Sequence, residues 1–304
     1  MSSNMFPVLL ATALLLLVTV SPASSAEKKA LTGATVKQQV GPVGESVMDK
    51  NLVSPSVKVS DVVEHCNAHS ADTSIRHFES HVLGYVTPWN SHGYDVAKTF
   101  GNKFTMISPV WLQVVPGDGK ERYAVAGLHD VDRSWMSEVR SAGSESGVRI
   151  LPRVMFERFS PEGYMALFRS HPEMKRVAKL IAKTVEENGF DGAVLEIWSQ
   201  FGGMMRPELK LLVREIAGEL RHDGKTFVLV IPPVTSGGMF EETDFRDLVD
   251  SVDFFSLMTY DYSNPQRPGR YIYPSSAPGK FEYLLNLIVV VQVLTRQSVG
   301  WKSA

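Results

Sequence analysis

The chain has 304 residues, of which 44% are hydrophobic, and its formal net charge at pH 7 is −2. A chain of this length can form one large domain or two smaller ones around a sizeable apolar core. The nearly balanced charge gives no indication of a nucleic acid or an anionic membrane as a partner.

The N-terminus carries an apolar run from about Val8 to Val20, followed by Pro22 and several small residues. Such a run is too short to span a bilayer, which takes about 20 apolar residues. Ser24 and Ala26 fit a small-x-small cleavage site. We therefore expect a secretory signal peptide at residues 1–26, a secreted protein and no membrane span; an uncleaved membrane anchor is the alternative.

Residues 27–76 are polar and mixed, without a sustained hydrophobic period, and are predicted to form an extended leader or linker. Cys66 is the only cysteine of the chain, so no intrachain disulfide can form. The fold must therefore depend on its apolar core.

From residue 77 onward, short apolar runs alternate with amphipathic segments. The runs are nearly continuous, as in parallel strands that are buried on both faces. Six of them are predicted to be strands, at residues 81–86, 104–113, 148–156, 190–198, 227–233 and 253–261.

The segments between these runs show the apolar spacing of helices, most clearly around residues 177–185 and 209–220. Gly189 and Gly224 follow these two helices in the position of a C-terminal cap. Strand, helix and strand in repetition predict βαβ units, arranged either as an open doubly wound sheet or as a (β/α)8 barrel.

Two observations favour the barrel. The stretch "GYVTPWNSHG" after the first strand lacks the Gly-rich phosphate loop of a doubly wound sheet. In a barrel the functional site lies where the strands end. Polar and aromatic residues cluster at those predicted ends: Trp89, Trp111, Glu157, Trp198, Tyr260 and Asp261.

The strand count predicts an incomplete barrel. Only about six strands are recognisable within residues 77–279, where eight are needed, and residues 280–304 can supply one helix or strand but not two βα units. We expect the last two strands to be missing, with two edges unpaired. The tail contains "LLNLIVVVQVL", an aggregation-prone composition, and we expect the chain alone to fold poorly.

Several stretches resemble glycoside hydrolase family 18, the chitinases. "GFDGAVLEIW" is similar to the family's fourth-strand pattern D-G-x-D-x-D-x-E, and "LMTYDY" is similar to its sixth strand. With "GYVTPWNSHGYDVAKTF" and "ISPVWLQV", they resemble a group of chitinase-like lectins described as stabilin-1-interacting, over about residues 30–279. The resemblance implies a chitinase-type TIM barrel, here in a C-terminally truncated or alternative form.

The resemblance assigns the acidic positions of the fourth strand one by one. Asp191 matches the first Asp, Val194 stands at the second and Glu196 stands at the third. Trp198 occupies the place of the catalytic Glu, which in the family protonates the glycosidic oxygen while the substrate's N-acetyl oxygen acts as nucleophile. Indole has no titratable acid, so a rate factor on the order of 10²–10⁴ is missing from that step.

No catalytic residue is therefore expected, and no cofactor or metal, since the histidines lack metal-ligand spacing. Trp198 is either a stacking platform for a sugar ring or a plug that fills the place of the lost acid. Glu196 is either a ligand contact or a structural acid, with Arg153 and Tyr260 as candidate partners. The predicted carbohydrate-binding residues are Trp89, Trp111, Glu157, Glu196, Trp198, Tyr260 and Asp261.

The function implied by the resemblance is a secreted or lysosomal lectin that binds oligosaccharides without cleaving them. Chitooligosaccharides and lipopolysaccharide glycans are the expected ligands, and the scavenger receptor stabilin-1 is a possible partner. Two alternatives stay open: an active glycosidase that uses Glu157 or Asp261 as its acid, and a non-functional splice product.

Overall fold

The computed structural model describes residues 37–232 and 238–258, together with the backbone of residues 290–294. The predicted signal peptide, Tyr260 and Asp261 lie outside the described residues. The chain divides into two compact units, of which the first ends at Ala71 and the second begins at Asp72. No helix of the described part has both the length and the apolar character needed to cross a bilayer.

The described part of the first unit carries secondary structure of its own, within the stretch predicted to be a leader. Strands β1 (Val40–Val43) and β2 (Asn67–Ser70) pair in parallel, and helix α1 (Val59–His65) lies between them in sequence. Each strand has only four residues, too few to produce a periodic signal against a polar background. No residue of α1 is buried.

The second unit contains ten strands and six further helices among the described residues. The strands are β3 (Val82–Val86), β4 (Met106–Pro109), β5 (Leu112–Pro116), β6 (Tyr123–Ala126), β7 (Arg149–Ile150), β8 (Arg153–Phe156), β9 (Gly192–Glu196), β10 (Thr226–Ile231), β11 (Phe254–Leu257) and β12 (Val290–Leu294). The helices are α2 (Ser91–Thr99), α3 (Arg133–Ala142), α4 (Pro161–Phe168), α5 (His171–Glu187), α6 (Arg206–His222) and α7 (Glu242–Leu248).

These strands form one sheet that closes on itself as an α/β, TIM-barrel-like fold. The sheet order is β6-β5-β8-β9-β10-β11-β12-β3-β4-β7. Strands β4 and β5 are separated by two residues, as are β7 and β8, so each couple acts as one interrupted barrel strand. Strand β4 pairs with β7, and β5 pairs with β8. The interrupted strand β4–β5 is therefore a neighbour of the interrupted strand β7–β8, which joins the two ends of the sheet order and closes the barrel.

The six strand positions predicted from the sequence are confirmed, and all of them run parallel. Between the last and the first lies β12, which is antiparallel to both β11 and β3. The expectation of two unpaired edges is therefore wrong for the described residues. One segment of the tail pairs with both edges, through two residues on the β11 side and three on the β3 side.

Two separate cores follow from the alternation of side chains along the strands. The barrel interior holds a small apolar layer formed by Leu83, Met106, Leu151, Val194, Val228, Val230 and Phe254. The larger core lies between the strands and the helices, and includes the alternate strand positions such as Ala193, Leu195 and Leu229. Helices α5 and α6 bury the apolar faces that their sequences predicted.

Both predicted glycine caps are confirmed. Gly189 and Gly224 have φ values of 68° and 65°, in the left-handed region that glycine adopts without strain. After α5 the N–H of Phe190 returns to the carbonyl of Val185, and after α6 the N–H of Lys225 returns to that of Leu220. Each helix thus stops sharply, just before the strand that follows it.

Gly192 is required where β9 begins, because β10 passes too close for a side chain. Its φ is 155°, and a Cβ atom there would lie 1.8 Å from the carbonyl oxygen of Thr226. Asp191 also acts at this end of the strand, where its carboxylate accepts the backbone N–H of Ile150 and an ion pair from Arg140. This fits the expectation that Asp191 is a strand-start residue.

We predict that Gly192→Ala destabilises the protein by at least about 2–3 kcal/mol, because the backbones of β9 and β10 must separate to admit the methyl group. Urea unfolding would measure the loss. The matched control is Gly218→Ala in α6, where nothing lies within 4 Å of the added Cβ, and a small gain of up to about 1 kcal/mol is expected. Equal stability of the two variants would contradict the close approach of the strands.

Candidate functional site

The carboxyl ends of the barrel strands carry a layer of polar side chains above the apolar interior. On β9, Val194 and Glu196 share the inward face, since residues two apart along a strand point the same way. Val194 is fully buried, whereas the Glu196 side chain keeps 18% of its surface exposed. The apolar layer therefore ends at Val194, and the polar layer begins one inward position later.

Glu196 is held by an ion pair with Arg153. Nη1 of Arg153 donates to Oε2 of Glu196 at 2.9 Å, and the Arg153 side chain is 22% exposed. The pairing is diagonal, because Arg153 lies opposite Val194 in the register of β8 and β9. The prediction that Arg153 partners Glu196 is confirmed, and the other candidate, Tyr260, lies outside the described residues.

Three further residues of this layer were not predicted from the sequence. The Tyr85 hydroxyl and the Ser256 hydroxyl are hydrogen-bonded at 2.8 Å, which joins the inward faces of β3 and β11 across β12. Ser108 lies opposite Tyr85 in the register of β3 and β4, and it is fully buried. In the sequence, each of the three could have been found as a polar residue at an inward-facing position of an otherwise apolar strand.

Two buried polar atoms of this layer lack a hydrogen-bond partner among the described residues, namely Oγ of Ser108 and Nε of Arg153. Buried polar atoms are nearly always satisfied in folded proteins, so an unsatisfied pair at one site points to a function. We define the barrel mouth by Tyr85, Ser108, Arg153, Glu196 and Ser256.

Trp198 does not reach this mouth. Strand β9 ends at Glu196, and Ile197 has φ −132° and ψ −30°, which starts the short 3₁₀ turn Trp198–Phe201. The turn breaks the strand alternation, so the indole enters the outer core instead of the next inward position. There it is fully buried, donates its Nε1–H to the backbone carbonyl of Met239 and packs edge-to-face on Phe240 at 5.0 Å.

The expectation that Trp198 is a sugar platform is therefore corrected. A fully buried ring offers no face to a ligand, and its only polar atom is already bonded. The alternative of a plug holds only in part, because Trp198 fills space between strands and helices and not the place of the lost acid.

Trp111 is corrected for the same reason. It is fully buried in the outer core, where its Nε1–H donates to the Tyr94 hydroxyl at 2.7 Å and its ring packs edge-to-face on Trp135 at 5.6 Å. Burial raises the pKa of Tyr94, so the phenol stays neutral as the acceptor of that bond. Trp135 is itself a buried residue of helix α3.

The remaining candidates differ in their accessibility. Trp89 follows the carboxyl end of β3 with 77% of its surface exposed, and Glu157 follows β8 and is also exposed. Both side chains are accessible to solvent, and their binding role stays a prediction. Among the described residues, no three His, Cys, Asp or Glu side chains come together as a metal site would require.

A concave surface lies along helix α3, beside the segment that leads into β9. A groove of about 420 Å³ is lined by Arg133, Arg140 and Asn188, next to Gly189 at the amino side of β9. Arg140 is engaged by the carbonyl of Gly189 and by Asp191, and Arg133 is engaged by the carbonyl of Glu187. These arginines hold the end of α5 in place. We call this surface the α3 groove.

Comparison with known proteins identifies the family. Residues 81–279 match the model of glycosyl hydrolases family 18, which covers more than half of the chain. The chain belongs to glycosyl hydrolase family 18. The family match includes β9 with Asp191, Val194, Glu196 and Trp198, so the positions compared with the acidic pattern lie inside the matched domain.

Similar solved structures include three family 18 or class V chitinases. A class V chitinase from Pseudomonas fluorescens Pf-5 has 18% identity and a TM-score of 0.49, over 66% of this chain and 59% of that one. A class V chitinase from Nicotiana tobaccum has 16% identity and a TM-score of 0.49, over 62% and 55%. A mutant chitinase from Cycas revoluta in complex with (GlcNAc)4 has 14% identity and a TM-score of 0.47, over 60% and 56%. This chain therefore spans less than two thirds of the length of these structures.

We predict that Trp198→Ala lowers the free energy of unfolding by about 3–5 kcal/mol, as expected for a large aromatic side chain removed from a packed core. Trp198→Phe keeps a ring and loses the hydrogen bond to Met239, and about 1–2 kcal/mol is expected. Denaturant unfolding measures both.

The control is Trp89→Ala, an exposed tryptophan whose removal should change stability by no more than about 0.5 kcal/mol. A Trp198→Ala variant of unchanged stability would contradict the placement of the indole in the outer core.

Proposed function

We propose that this family 18 protein is a chitinase-like lectin, which binds oligosaccharides at the barrel mouth without hydrolysing them. Within the family we assign it to the chitinase domain-containing protein 1 group, on the motifs described above. The proposal depends on which residues occupy the inward-facing positions of β9. They hold Val194 and then an ion-paired Glu196, and the strand ends before a further inward residue.

The chemistry of the family supports a non-hydrolytic role. By the resemblance of the motif, Trp198 occupies the position of the family's general acid, and its side chain carries no acid and lies in the outer core. Glu196 is bound to Arg153 as a carboxylate, which accepts hydrogen bonds and has no proton to donate. Glycoside hydrolysis by this route needs a proton donor at the leaving oxygen.

The same residues are suited to binding. A pyranose presents hydroxyl groups along its edges and an apolar face, so a site needs hydrogen-bonding groups and an exposed aromatic ring. The mouth supplies the first through Arg153, Glu196 and Tyr85. Trp89, which is exposed in the loop after β3, supplies the second. We propose chitooligosaccharides as ligands, together with lipopolysaccharide glycans that present a neutral sugar unit to the mouth.

The proposal extends to the biological setting. A signal peptide at residues 1–26 would direct the protein into the secretory pathway. We propose that it is secreted and reaches the lysosome, with stabilin-1 as the receptor partner. Secretion of the full-length protein from transfected cells, and loss of secretion when residues 1–26 are deleted, would test the first step.

An active glycosidase is the second candidate, because Glu157 is an exposed carboxylate that immediately follows β8. Such an enzyme would use Glu157 or Asp261 as its acid. The two candidates differ in whether the protein releases product from a bound substrate.

We predict that the protein binds chitotetraose in isothermal titration calorimetry and releases no product from a fluorogenic chitooligosaccharide. Trp89→Ala should weaken binding about 3–10-fold through the loss of one stacking contact. Leu211→Ala, which changes a 45% exposed residue on the outer helix α6, is the control and should bind as the wild type does. Turnover that disappears in Glu157→Gln or Asp261→Asn would contradict the lectin and establish the glycosidase.

A further inference from the structure

The charges at the barrel mouth are balanced within the described residues. Arg153, the first residue of β8, and Glu196, the last residue of β9, are the charged pair at the mouth among the described residues. Tyr85, Ser108 and Ser256 add hydroxyl groups without charge. Within the described part of the mouth, a ligand therefore meets one positive and one negative group as an adjacent pair.

The pair is joined by one hydrogen bond, from Nη1 of Arg153 to Oε2 of Glu196. Among the described residues, no other hydrogen bond engages Nη2 of Arg153 or Oε1 of Glu196. Within the described part of the chain, one donor and one acceptor therefore remain on the two paired groups, and both side chains are partly exposed. A sugar hydroxyl is both acceptor and donor, so a single hydroxyl can accept from Arg153 and donate to Glu196.

A carboxylate or phosphate substituent cannot use the pair in this way. It accepts from Arg153, but it has no proton for Glu196, and the two negative charges repel each other at close range. Arg153 cannot leave Glu196 to serve such a ligand without exposing a partly buried carboxylate that has lost its partner. The ion pair thus gives the mouth a preference between two classes of glycan.

We propose that the Arg153–Glu196 pair makes the barrel mouth selective for neutral, hydroxyl-bearing oligosaccharides over glycans that carry a carboxylate or phosphate at the bound unit. Glu196 is the specificity-determining residue, because it supplies the charge that rejects the anion. This inference rests on the proposed sugar-binding function and names the ligand class of that site.

The test compares two ligands that share one backbone: chitotetraose and chitotetraose with its C6 hydroxymethyl groups oxidised to carboxylates. Titration calorimetry with the full chain should show the wild type binding the neutral ligand at least about tenfold more tightly. Glu196→Gln keeps the shape and removes the charge, so this ratio should fall at least threefold or reverse.

Glu215→Gln is the matched control. Glu215 is a partly buried carboxylate, 25% exposed, that is bonded to His171 on the outer helices. Removing its charge should leave the ratio unchanged. A ratio that changes as much in Glu215→Gln as in Glu196→Gln would overturn the proposal, since net charge alone would then explain the preference.

A measurement on the wild type keeps the test decisive if Glu196→Gln does not fold. Added salt screens repulsion between partly exposed charges, so the affinity for the oxidised ligand should rise relative to that for chitotetraose. An affinity for the oxidised ligand that falls with salt would show net attraction and overturn the proposal.

Different results would contradict the selectivity and the proposed lectin function. If chitotetraose binds but the ratio is the same in wild type and Glu196→Gln, the selectivity is wrong and the lectin function stands. If the wild type binds neither ligand, the proposed function fails and the selectivity fails with it.

Discussion

The end of strand β9 at Glu196 is the constraint on which the functional account depends. Up to that residue the strand alternates, with Val194 and Glu196 facing the barrel interior and Ala193 and Leu195 facing the helices. One residue later the backbone leaves the extended region, and Trp198 joins the outer core. The last inward side chain of the strand is therefore an ion-paired carboxylate.

The ion pair in turn depends on how the neighbouring strands approach. Gly192 lets β10 pass close to the start of β9, and the register of β8 places Arg153 diagonally below Glu196. Breaking a partly buried ion pair leaves an uncompensated charge in the interior, so each partner holds the other in position. In the proposed function, the paired carboxylate of Glu196 accepts hydrogen bonds from a ligand instead of donating a proton.

Much of the fold was predictable from the sequence. The six parallel strands, the amphipathic faces of α5 and α6 and the capping roles of Gly189 and Gly224 follow from local periodicity and glycine chemistry. The partner of Glu196 was also predictable, because a buried acid on an inward position needs a basic residue nearby. Tyr85, Ser108 and Ser256 were visible as polar residues on apolar strands, but their meeting across the barrel depends on closure.

The tryptophans could not be placed by counting along a strand. Trp111 and Trp198 lie near strand ends, and a change of one residue in where the alternation stops decides between mouth and outer core. The pairing of β12 with both β11 and β3 was also beyond the sequence, since an apolar segment carries no signal for its direction. Prediction from the sequence therefore fails where the end of a strand, or the pairing of segments distant in sequence, decides where a residue lies.

The central claim is that sugars bind at the barrel mouth, and hydrogen exchange measured by mass spectrometry tests it most directly. Saturating chitotetraose should slow exchange in the loops that follow β3, β8 and β9, at residues 87–90, 157–160 and 197–205, and leave the α3 groove unchanged. Slower exchange confined to residues 133–141 and 188–189 of the α3 groove, with no change at the strand ends, would contradict the claim.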